Sequence, residues 1–133
     1  MNRKQESKGC GTDSNTESNR LLEYDQVMRR LASDVELFGE FVKIFREDAP
    51  QLTRRMETAI QESNAADLHS AAHALRGLIS NFGATDVISL AKDLELAQVD
   101  ASKQEAQEKM SELLSLIDQL NDELDQYFPR TSP

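Results

Sequence analysis

Tryptophan is absent, aromatic residues make up only 5% of the chain, and 133 residues include just five glycines and three prolines. So few turn formers and β-favouring aromatics argue against a sheet protein and suit an all-α chain of one domain. Cys10 is the single cysteine, which rules out an intrachain disulfide and a thiolate metal cage and fits a reducing compartment. Long apolar runs are missing too, and the N-terminal stretch MNRKQESKGCGTDSNTESNR holds none at all. No signal peptide, membrane anchor or bilayer-spanning helix is therefore expected, and the expected location is cytoplasmic. Positive charge is scarce, with 15 Lys and Arg against 24 Asp and Glu for a net charge of -9. Residues 1–20 carry Arg3, Lys4, Lys8 and Arg20 against Glu6, Asp13 and Glu17, so the acidity lies in the remainder. Such a body repels phosphate backbones and anionic lipid surfaces, and neither nucleic acid nor a membrane is an expected partner.

What the chain does have is helical periodicity. Residues 1–20 read as a disordered polar tail, with nothing to bury. A helical domain is expected over 21–129, followed by a short C-terminal tail over 130–133. Its first helix should cover Tyr24 to Leu31, with Val27, Met28 and Leu31 on one side. Ser33-Asp-Val-Glu36 reads as a capping box for a second helix carrying Leu37, Phe38, Phe41, Ile44 and Phe45. Pro50 predicts a kink or break in that helix, and the pattern resumes through Leu52, Met56, Ala59 and Ile60 to end near Ser63-Asn64. Asn64 can cap a third helix running through Leu68, Leu75 and Ile79 toward Gly83, a natural left-handed terminus. Val87, Leu90, Ala91, Leu94 and Ala97 mark a fourth. Ser102-Lys-Gln-Glu105 is a second capping box, opening a long stripe from Met110 to Leu124 that closes at Pro129. Short links between amphipathic helices predict an up-and-down antiparallel four-helix bundle with an additional short N-terminal helix.

Both histidines lie in HSAAHALRGLISNFGA, His69 to Ala84, four residues apart. With His73 at zero and about 100° per residue, Leu68, Ala71, Leu75, Leu78, Ile79 and Phe82 fall on the opposite half of the helix. His69, Ser70, Arg76, Gly77 and Ser80 fall within about 60° of His73. His73 therefore sits at the centre of the polar face, which argues against a buried core histidine. Three readings of that face remain. It is a solvated surface with two incidental imidazoles, the default for a polar helix face. It is a metal site, since histidines at i and i+4 can share an ion, although further ligands are missing. Or it is a nucleophile for phosphorus: an unperturbed imidazole titrates near pH 6.5, so its free base is available to attack a phosphoryl group. Arg76, one turn on, would offset phosphoryl charge, and Gly77 would leave a patch without a side chain for a close partner. A tight helix crossing would explain Gly77 as well. Paired carboxylates such as Glu47-Asp48 and Asp93-Glu95 read as decoration of solvated faces.

His73-Ala-Leu75-Arg76-Gly77, five intervening residues and Gly83-Ala84 resemble the signature of the histidine-containing phosphotransfer (HPt) domains of bacterial phosphorelays. The similarity extends over roughly Asp25 to Leu124 in the order and spacing of helices. It includes the aromatic-rich second helix with Pro50 and the Leu94-Glu95 pair. What the resemblance implies is a monomeric helical bundle presenting one phosphorylatable histidine, His73, with Arg76 at the basic position and Gly77 at the small docking position. His69, Ser70 and Ser80 would be neighbours on the partner-binding surface, and Gly83 and Ala84 would be structural. Phosphate would come from, and pass to, an aspartate of a response-regulator receiver domain, in a relay fed by a hybrid sensor histidine kinase. The Mg²⁺ for that step would belong to the receiver, so no cofactor of this chain is implied. Two positions depart from the pattern. Arg76 stands where Lys is more usual, keeping charge but not shape, and Leu78 and Ile79 stand where the family often has small residues. No Gly-rich nucleotide loop occurs, so the chain is expected to carry phosphate rather than take it from ATP. The rival reading is a non-catalytic module that binds a receiver or kinase and inhibits it without accepting phosphate.

Overall fold

The structure is a computed structural model and describes residues 20–130. The tail expected over 1–20, Cys10 included, lies outside the described residues apart from Arg20, as does the C-terminal tail apart from Arg130. The described residues form five helices and no strand: α1 Tyr24–Arg30, α2 Val35–Gln61, α3 Ala65–Ser80, α4 Thr85–Glu95 and α5 Lys103–Leu124. None of them is long and apolar enough to cross a membrane.

Two of the helix ends depart from the expected chemistry. The N-cap of α2 is Asp34, whose side chain accepts from the Leu37 amide at 3.0 Å, and not Ser33. Ser33 is unavailable because it closes α1: Ala32 and Ser33 sit at φ 55° and 61°, and the Ser33 amide donates to Met28 O at 2.7 Å. A capping box needs that amide free for Glu36. Ser102 does occupy the N-cap position of α5, but its hydroxyl makes no cap bond. Its amide, the group Glu105 would have to satisfy, already donates to Gln98 O at 2.8 Å. Asn64 caps α3 as expected, accepting from the Asp67 amide at 3.0 Å.

Pro50 does not break α2, which runs through it for 27 residues. Pro50 itself is exposed and lacks the amide that would donate to the carbonyl of Arg46, a half-buried residue. On the opposite side Phe45, Ala49, Thr53 and Met56 are buried as one continuous face across the proline. That burial keeps the helix continuous on both sides of Pro50, outweighing the cost of about 3 kcal/mol for an interior proline.

α2 packs on α3, α3 on α4, α4 on α5, and α5 back on α2. Apolar residues from all five helices meet in one core, closed at one end by aromatic rings. Phe82, just past α3, stands edge-on to Phe38 and Phe45 of α2, with ring centroids 6.0 and 5.3 Å away. Tyr24 of α1 stacks on Tyr127 beyond α5, at 4.0 Å. The carboxylate of Glu123 accepts from the amides of Leu21 and Leu22, pinning the incoming chain to α5. For the site, one consequence matters: α3 has α2 on one side and α4 on another, and its remaining face is open.

Candidate functional site

The open face of α3 is the polar one. Leu68, Ala71, Ala72, Leu75 and Ile79 are buried, whereas His69, Ser70, His73, Gly77 and Ser80 are exposed and Arg76 is half-buried. The imidazole of His73 is 64% exposed. An exposed imidazole on the polar face of the helix, away from the core, is what the sequence pattern predicts.

The pattern does not predict the group beneath it. Glu95, the last residue of α4, has a side chain only 8% exposed and is not part of a solvated face. Its Oε2 lies 3.0 Å from His73 Nδ1, and its Oε1 accepts from Arg76 Nε at 2.8 Å. Arg76 Nη2 reaches Oε2 at 3.4 Å. The backbone carbonyl of Glu95 is 3.1 Å from His69 Nδ1, and His69 Nε2 is 3.8 Å from Oε2. The two imidazole rings lie nearly parallel, with centroids 6.3 Å apart. Asp93, the other half of the expected pair, is exposed and reaches Lys109 at 3.5 Å.

Burial opposes the charge on Glu95, but the bond from Arg76, reinforced by the one from His73, holds its carboxyl below the usual range. Glu95 is therefore an ionised, acceptor-only group at neutral pH. It follows that His73 Nδ1 carries the proton in their shared hydrogen bond. In the neutral imidazole the lone pair must then be on Nε2, which has no partner among the described residues. Arg76 Nη2 lies 3.1 Å from the same Nδ1. Both nitrogens bear protons and converge on Oε2, so that approach reflects a shared acceptor rather than a bond between them.

Arg76 is thus committed to Glu95 through Nε and Nη2, leaving Nη1 as the guanidinium nitrogen without a partner among the described residues. Gly77 is not a helix-crossing residue: a Cβ built there meets nothing within 4 Å. Ser80 turns its hydroxyl back on the Arg76 carbonyl at 2.8 Å, while Ser70 stands exposed one position after His69. Gly83 has φ +64°, and Ala84 is buried at the N-cap of α4. No group of three or more His, Cys, Asp or Glu side chains is arranged to hold a metal ion among the described residues.

Could Glu95 have been found from sequence? Counting back along α4, it falls on one side with Ile88 and Ala91, which are half-buried and buried. A carboxylate ending such a stripe is a buried-partner signal, but a helical wheel does not name the cation that meets it.

A family model described as Hpt domain matches residues 40–127, a span that contains His69, His73, Arg76, Gly77 and Glu95. Neither the curated proteins nor the solved structures searched include a match to this chain.

Proposed function

Given that the chain belongs to the Hpt domain family, we propose that it is a phosphorelay carrier whose phosphoacceptor is Nε2 of His73. The observation that carries this reading is the buried Glu95 carboxylate on Nδ1 beneath a ring 64% exposed. It holds the imidazole in one tautomer with the nucleophilic nitrogen turned toward solvent. The five helices are read as an up-and-down four-helix bundle with α1 added, acting as a monomer.

The donor is the acyl phosphate of a phosphorylated receiver domain. The lone pair of Nε2 attacks phosphorus in line, the N–P bond forms, and the P–O bond to the receiver's aspartate breaks. The aspartate leaves as a carboxylate with the bonding pair. The ring becomes a phosphorylated imidazolium, whose positive charge Glu95 stabilises through Nδ1–H. Reversal onto a second receiver returns the lone pair to Nε2. Mg²⁺ comes with the receiver, and a hybrid sensor histidine kinase supplies phosphate to the relay. Arg76 steadies Glu95 and presents Nη1 toward the transferred group, while Gly77 leaves room for the partner's surface.

The test is transfer from a radiolabelled phosphorylated receiver to wild type and His73→Gln side by side. Label should appear only in wild type, resist alkali and be lost in acid. Binding without label in wild type would overturn the carrier reading in favour of an inhibitory docking module, and equal label in His73→Gln would exclude His73.

A further inference from the structure

His69, His73 and Arg76 lie on successive turns of α3, and all three place a nitrogen on Glu95. His73 and Arg76 hold its carboxylate. His69 instead reaches its backbone carbonyl, at 3.1 Å. That carbonyl closes α4, where the final C=O groups of a helix lack intrahelical donors. The amides that could reach it, those of Gln98 and Val99, do not donate to it, so His69 is its hydrogen-bond partner among the described residues. From there the chain departs through Leu96, which is 61% exposed and gives little anchorage.

We propose that His69 is a positioning residue that ties down the C-terminal end of α4, and through it the carboxylate that sets the tautomer of His73. A carbonyl accepts and does not donate, so His69 must present Nδ1–H to it. The bond fixes the backbone from which the Glu95 side chain departs. Freed of it, the last turn of α4 frays, as helix ends do, and the carboxylate loses its register with Nδ1 of His73. His69 is therefore not an incidental neighbour, and it does not take phosphate itself. With Nδ1 protonated, its lone pair is on Nε2, which lies 3.8 Å from Oε2 of Glu95, where the carboxylate's negative charge opposes an incoming phosphoryl group.

The inference rests on the carrier reading only in its kinetic arm. Asparagine places its amide nitrogen where Nδ1 of histidine stands, so His69→Asn retains the donor and His69→Leu removes it. The first readout is the ¹⁵N NMR signature of the His73 ring at neutral pH, which reports the tautomer without any phosphate present. Wild type and His69→Asn should show His73 protonated on Nδ1, whereas His69→Leu should show a mixture. In the second readout, transfer from a phosphorylated receiver should fall about tenfold in His69→Leu and recover in His69→Asn, the lower end of the range for losing an orienting partner, since His69 acts through Glu95. Unchanged helical circular dichroism separates this from unfolding. A wild-type tautomer in His69→Leu, or equal loss in both variants, would overturn the proposal. Tautomer dependence on His69 in a wild type that takes no phosphate would uphold the positioning role and remove the carrier reading instead.

Discussion

Glu95 and His73 are 22 residues apart in the chain, yet Oε2 of one lies 3.0 Å from Nδ1 of the other. That single contact turns an exposed imidazole into an oriented one. A carboxylate on Nδ1 fixes the tautomer and, in the proposed transfer, would stabilise the cation formed on phosphorylation of Nε2. The same logic operates wherever a histidine is oriented by an acid behind it. Glu95→Gln keeps the shape of the side chain but removes its charge and offers His73 a carboxamide that can face it with either end. Transfer to His73 should slow about ten- to hundredfold, by comparison with lost orienting carboxylates elsewhere. A rate equal to wild type, with the fold intact by circular dichroism, would show that the contact does not assist the chemistry.

On the proposed carrier reading, Gly77 allows docking to be tested apart from folding. Its exposed position and the open space around a built Cβ mean that alanine is accommodated without any clash. Alanine also improves helix propensity by about 1 kcal/mol. Gly77→Ala should therefore raise the urea midpoint, the opposite of what a packing glycine would do. Gly77→Gln should then slow transfer from a receiver about tenfold or more, equivalent to about 1.4 kcal/mol of lost docking. Labelling by a small donor such as phosphoramidate should stay unchanged, since it needs no protein surface. Equal slowing with both donors would place the effect at His73 rather than at the interface.

The helices, and the face of α3, were legible because burial follows periodicity, although Leu37 and Ile44, expected in the apolar stripe of α2, are exposed. Leu68, Ala71, Leu75 and Ile79 are buried and His73 is exposed, as the wheel of α3 requires. Asn64 and Gly83 were legible because few residue types suit a cap or a left-handed turn. The α2 cap was misplaced by one residue, since Ser33 and Asp34 are both good caps and only the closure of α1 uses up the Ser33 amide. Of the kink or break expected at Pro50, the break does not occur, because local propensity yielded to a buried face spanning the proline. Glu95 was hidden for a deeper reason. In one dimension a glutamate beside Asp93 looks solvated, and the cation and imidazole that make its burial tolerable belong to another helix.

Gly83 should be intolerant where Gly77 is tolerant. Its φ of +64° places it in the left-handed region, and a Cβ there would stand 3.1 Å from Cβ of Glu23. Glu23 has little freedom to retreat, because its own amide donates to Phe82 O at 3.1 Å. The left-handed conformation alone costs a non-glycine residue about 1–2 kcal/mol. Gly83→Ala should thus lose about that much or more in urea unfolding, with Gly77→Ala moving the other way in the same experiment. Loss of the same size in both would mean that neither glycine acts as its surroundings indicate.

Acid should weaken the fold partly through Glu95. The bond from Arg76, then that from His73, holds its carboxyl below the ordinary value of 4.5, against the opposing effect of burial. Asp67 is shifted the same way, mainly by its bond to Arg55, and Asp125 mainly by its bond to Arg130. For a carboxyl with a depressed folded pKa, the unfolded chain binds the proton more readily. Its contribution is therefore full above the ordinary carboxylate range and is lost as pH falls through the lowered folded value. Because all three groups act in one direction, the wild-type slope alone does not isolate Glu95. Comparison with Glu95→Gln does. At neutral pH the variant should be less stable by about 1–3 kcal/mol, the cost of leaving buried hydrogen-bonding groups without their charged partner. On acidification below about 4.5 the two urea midpoints should converge, since protonation removes from wild type what the substitution has already removed. A gap that stayed constant into acid would mean that Glu95 is not held ionised. The proton on Nδ1 of His73, and with it the free lone pair on Nε2, would then lose their physical basis.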